Sequence, residues 1–130
     1  MKQIGLWLSS RISRWLMAIF YLAAGLNHFR DPDFYMPLIP DYLPFPEWIN
    51  ITSGVLEVLF ALFLMIPSLR RWGTMGIMIL LVLFIPSHVY FIQIGACIEG
   101  GLCTSLWVAH ARLWVIHPLL FLWAFSIQNR

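Results

Sequence analysis

The chain has 130 residues, 61% of them hydrophobic and only 11% charged, with a formal net charge of +2. An ordinary soluble domain carries about 25% charged residues, so this composition excludes one and indicates a membrane protein. Its length allows a single domain, residues 1–130; the net charge itself says little, and no nucleic-acid partner is expected.

Residues 1–14 carry Lys2, Arg11 and Arg14 and no acid. A first apolar span is expected over about residues 12–29. A basic start before an apolar run also suits a signal peptide, but this run ends in Asn27-His28 and three more spans follow. Prolines at 32, 37, 40, 44 and 46 make the next stretch a loop without regular helix or paired strand. Phe34, Tyr35, Tyr42, Phe45 and Trp48 suit an interfacial aromatic belt, so this loop is expected on the membrane surface.

The second span, residues 48–66, holds Glu57 at its middle. A charged group there costs about 2.5 kcal/mol or more, so it requires a partner or water. Ser53, Gly54 and Ala61 share its helical face and leave room for a neighbouring helix to supply one. A short turn with Arg70 and Arg71 leads to the third span, residues 73–94, which Pro86 should kink. Cys97 and Cys103 stand in the following loop, and the fourth span covers residues 106–125 with His117-Pro118 inside it.

The charges set the orientation. Lys2, Arg11, Arg14, Arg70, Arg71 and Arg130 fall on one side of this pattern, and Asp31, Asp33, Asp41, Glu47 and Glu99 on the other. The positive-inside rule then places both termini in the cytoplasm. The expected fold is all-α: an antiparallel four-helix transmembrane bundle, multi-pass in the cell inner (plasma) membrane.

Within that bundle Tyr21, His28, Glu57, His88 and Arg112 gather in the outer half and define a candidate pocket. Glu57 and His28 are the candidates for moving a proton, with Arg112 for holding an oxygen or anion. Arg112, with Ala109 and Ile116, is read as facing inward; His110, Trp114 and His117 share another face, turned toward a second subunit or the interface. A structural Glu57–Arg112 ion pair is the plainer alternative. No tight His/Cys cluster marks a metal site. Cys97 and Cys103 could form a disulfide, either a clip on a short loop or a redox-active pair.

Several motifs together resemble the DoxX-like family of small four-helix membrane proteins. They are Gly25-x-x-His28-Phe29 leading into a proline-rich loop, Ser53-Gly54-x-x-Glu57, the Ile66-Pro67 turn before Arg70-Arg71, and Arg112 early in span four. The stretch Ile85-Pro86-Ser87-His88 departs from the family's usual F-P-[AS]-N, with His88 in place of Asn. The resemblance implies a redox-linked membrane subunit, with a quinone or small sulfur anion in the pocket and a redox partner subunit or a second copy beside it. The alternative is a non-enzymatic binding or assembly protein holding a lipid or a partner's helix. If the protein is an enzyme, the resemblance implies a quinone-linked oxidoreductase subunit.

Overall fold

The computed structural model describes residues 2–8 and 10–128. Arg130, one of the bases used to orient the chain, lies outside the described residues. The regular structure of the described residues is helical, with no strand beyond one isolated bridge between Cys97 and Cys103. The helices are α1 (Lys2–Leu8), α2 (Arg11–Arg30), α3 (Pro32–Tyr35), α4 (Pro46–Met65), α5 (Arg70–Leu83), α6 (Ile85–Gln93), α7 (Leu106–Ala111) and α8 (His117–Gln128).

Three helical stretches are long and apolar enough to cross a membrane: Pro46–Met65, Pro67–Gln93 and Leu106–Gln128. The sequence reading expects four. The missing one is α2, which is 20 residues long but starts with Arg11 and Arg14 and ends with Arg30. Its apolar stretch lies between those bases.

Local chemistry explains the breaks. Ser10 caps α2, its side chain accepting from the Ser13 N–H at 3.2 Å. The proline-rich loop is more regular than its composition suggests. Pro32 opens the single-turn helix α3, and a 3₁₀ turn covers Met36–Leu38. Proline is tolerated in a first turn because its missing N–H would have no intrahelical partner there. Phe45 precedes α4 in the left-handed region, with φ 57°.

Pro86 ends the straight run of span three. Helix α5 stops at Leu83 and α6 begins at Ile85, with the Ser87 and His88 N–H groups both returning to the Phe84 carbonyl. In span four, α7 and α8 are joined by a π turn over Arg112–Ile116, in which the His117 N–H donates to the Arg112 carbonyl. Pro118 has no N–H for the Trp114 carbonyl, and its ring crowds that carbonyl; a wider turn immediately before it accommodates both.

Helix α2 packs along α4, α4 along α5, and α5 along α8, which also touches α2. Their shared core holds Met17, Tyr21, Ala61, Leu64, Ile77 and Ile127. The Trp123 indole N–H donates to Ser13 Oγ at 2.6 Å and ties α8 to the start of α2. A second, smaller cluster of Phe91, Ala96 and Ala109 sits beyond the Pro86 break, with Leu38 of the loop packed on it. Outside these cores the surface is strongly apolar: Ile19, Leu62, Leu83, Leu119, Leu122 and Phe125 are all exposed. Apolar exposure on this scale suits a lipid-facing surface, not water.

Candidate functional site

The site begins at a helix crossing. Gly25 of α2 and Gly54 of α4 lie against each other. A Cβ on Gly54 would stand 2.7 Å from His28 Cβ, and one on Gly25 would stand 2.9 Å from Glu57 Cβ. Only glycine at both positions lets the two backbones come this close. The approach places His28 directly over Asn50 and Glu57, which lie two turns apart on α4.

His28 is the centre of the arrangement, and it is buried. The Asn50 amide donates through Nδ2 to the His28 backbone carbonyl at 3.1 Å, which turns Oδ1 toward the ring. His28 Nδ1 lies 2.7 Å from that Oδ1. An amide oxygen only accepts, so Nδ1 carries a hydrogen and donates. The other ring nitrogen, Nε2, faces Glu57 Oε2 at 3.6 Å. That is ion-pair range and beyond a normal hydrogen bond. Glu57 is only 5% exposed, and its Oε2 has no hydrogen-bond partner. With Nδ1 committed to Asn50, any further proton on the pair lies on Nε2 or on Oε2.

The loop completes the setting. Tyr35 stacks on the His28 ring with centroids 3.7 Å apart. The Tyr35 hydroxyl accepts from Asn27 Nδ2 at 2.9 Å and reaches the Ala24 carbonyl at 3.5 Å. Burial pushes this phenol above its ordinary pKa, so it stays a neutral hydroxyl.

A cavity of about 540 Å³ opens in front of Glu57. Its walls come from His28, the loop from Phe34 to Phe45, one face of α4, the α5–α6 break and Arg112. Most of the lining is apolar or aromatic, with a minority of polar side chains that includes His28, Asn50, Ser53, Glu57, His88 and Arg112. A largely apolar cavity with a few convergent polar groups is the usual form of a small-molecule site.

Of the residues singled out from sequence, His28, Glu57, His88 and Arg112 line this one cavity. Tyr21 does not: it is buried in the helical core, with its ring edge-on to Phe20. Arg112 is not ion-paired with Glu57 among the described residues; its guanidinium lies over the Phe91 ring, 5.7 Å from the centroid. His117 is buried instead of facing a partner, contacts the His88 ring edge-on at 4.7 Å, and bonds through Nε2 to the Leu81 carbonyl. The π turn is the reason. Its i+5 hydrogen bond stacks His117 on Arg112, so both turn inward, where an α-helix would send them apart. His110 is exposed and accepts from the Trp114 indole N–H at 3.3 Å.

Sequence reasoning missed Asn50 and the lid-like fold of the loop. Asn50 carried a signal, since it stands seven residues before Glu57 on one helical face. Cys97 and Cys103 are joined by a disulfide, and neither lines the cavity. Among the described residues, no group of three or more His, Cys, Asp or Glu could hold a metal ion.

The class these features define is an all-helical protein with three helices long and apolar enough to cross a membrane, compatible with a membrane protein. The chain belongs to the family described as Domain of unknown function (DUF8561), whose model matches residues 17–128. This match overturns the resemblance to the DoxX-like family. The letters behind that resemblance are what a tight α2–α4 crossing beside a buried acid requires: two facing glycines, His28 and Glu57. Packing demands of this kind can be met in unrelated families. No curated protein and no solved structure matches the chain.

Proposed function

We propose that this is a multi-pass protein of the cell inner (plasma) membrane that binds an amphipathic small molecule in the cavity beside Glu57. In this reading α2 is the fourth span. Its exposed Ile19, Phe20 and Leu26 face lipid, and Arg11, Arg14 and Arg30 reach the two interfaces. Both termini lie on the cytoplasmic side, and the bilayer is the principal partner. The acidic loop and the disulfide loop face outward.

One observation carries the binding role. A buried carboxylate oxygen without a hydrogen-bond partner faces a mainly apolar cavity of about 540 Å³. A polar group left unpaired in such surroundings costs about 1–3 kcal/mol, and a bound head group would recover that cost. A small free anion suits the site poorly, because Glu57 forms part of its wall. A quinone in its reduced form, which carries hydroxyl groups, is one molecule of the right kind. Electron exchange with the disulfide has less support, because neither cysteine reaches the cavity.

Native mass spectrometry of protein released from mild detergent tests this. The wild type should carry a non-covalent adduct, and Ser53→Trp, which fills the cavity from α4, should lose it. Bare protein in both samples, or an identical adduct in both, would sink the binding role.

A further inference from the structure

Resting on that binding role, we propose that the ligand is a neutral, hydroxyl-bearing lipid that enters sideways from the bilayer between α4 and α6.

The head group follows from the two polar atoms that face each other across the pair, Nε2 of His28 and Oε2 of Glu57. Nδ1 of His28 is held by Asn50, so only Nε2 and Oε2 face each other, at 3.6 Å. If a further proton sits on Nε2, an incoming group must accept from Nε2 and donate to Oε2. If it sits on Oε2, the same group must accept from Oε2 and donate to Nε2. A hydroxyl does both, because it is donor and acceptor at once. An ammonium only donates and a carboxylate or phosphate only accepts, so each satisfies half of the pair. Charge points the same way. Arg112 lines the cavity and opposes a cation, and Glu57 lines it and opposes an anion.

The route follows from the Pro86 break. Helix α4 packs along α5, but α6 makes no comparable contact with it; α6 turns toward α7 and the 3₁₀ turn at Met36–Leu38. Thr52, Leu83 and Pro86, all exposed, line the cavity on either side of this gap, and Pro44, Phe45 and Trp48 are its exposed lining residues at the loop. Leu83 and Trp48 are 62% and 67% exposed, on a surface that otherwise suits lipid. A head group at Glu57 can therefore leave its tail among the acyl chains.

The test uses the full chain in phosphatidylcholine nanodiscs with a diazirine-bearing hexadecanol as photoprobe. Cross-links should map to Leu56, Leu83 and Phe84. Unlabelled 1-hexadecanol should displace the probe about tenfold or more better than methyl hexadecyl ether, hexadecylamine or palmitate, the discrimination expected of a hydrogen bond to a charged group. Glu57→Leu should abolish the preference for the alcohol, and Glu57→Gln, which keeps a donor and an acceptor, should retain part of it. Equal competition by all four amphiphiles in the wild type would overturn the hydroxyl assignment and leave the binding role standing. Cross-links confined to outward residues such as Leu119 and Leu122 would overturn both.

Discussion

His28 and Asn50 exchange two hydrogen bonds across 22 residues of sequence, ring Nδ1 to amide Oδ1 at 2.7 Å and amide Nδ2 to backbone carbonyl at 3.1 Å. This double contact fixes the imidazole's position and its tautomer together. Asn50→Ala should destabilise the protein by about 1–3 kcal/mol, because it leaves two buried groups unpaired. Thermal unfolding in detergent measures the loss. Nitrogen-15 NMR of labelled histidine checks the chemistry: the hydrogen should sit on Nδ1 of His28 in the wild type. A protonated Nε2 with a bare Nδ1 would contradict the assignment.

The glycine crossing gives a second expectation. Gly54→Ala puts a methyl group 2.7 Å from His28 Cβ and 3.0 Å from the Gly25 carbonyl, so α2 must move away from α4. Overpacking of this kind costs about 1–3 kcal/mol. Exposed Ala23→Leu on α2 serves as the control and should leave the melting temperature unchanged. Equal melting of Gly54→Ala and wild type would show that the helices are not in close contact.

The disulfide between Cys97 and Cys103 closes a loop with a sequence separation of 6. Loop-closure entropy for a ring of that size corresponds to about 2 kcal/mol. The double variant Cys97→Ser, Cys103→Ser should melt lower, and reductant should lower the wild type but not the variant. Alkylation without reductant, followed by mass measurement, should find both thiols blocked in protein from an oxidising compartment. Free alkylation of both would remove the clip.

Topology is tested by thiol labelling in intact cells. Ser68→Cys, in the exposed turn between α4 and α5, should resist a membrane-impermeant maleimide. Asp41→Cys, exposed in the proline loop, should react. The reverse pattern would invert the chain in the membrane.

What the sequence disclosed was set by how each signal propagates. Hydropathy reads composition over many residues, so the helices around Glu57 and Pro86 were visible, and so was Glu57 as the exceptional charge. Face assignments depend on an unbroken 3.6-residue period. In span four the period holds as far as Arg112 and then gains a residue, which turns His117 inward against the regular period. Tyr21 shares a helical face with His28 but lies two turns away from it, in the core cluster that also holds Ala61 and Leu64. The closing of residues 32–45 over the cavity is a tertiary event. Its aromatic residues satisfied an interfacial reading equally well, and only the stack of Tyr35 on His28 distinguishes the two.

The contacts of α2 bear on how the protein is made. In the four-span reading α2 leaves the ribosome before α4, with bases near both its ends and Asn50 and Glu57 not yet synthesised. Asn50 and Glu57 emerge 22 and 29 residues later, on α4. Until then the imidazole has no protein group to satisfy it in hydrocarbon, so α2 alone is a poor candidate for release into lipid. Membrane integration of α2 and α4 as a hairpin, with the glycine crossing already formed, avoids that exposure. The motif that shapes the cavity would then also set the order of assembly, and a ribosome-bound chain truncated before residue 50 should remain extractable where one ending after residue 70 does not.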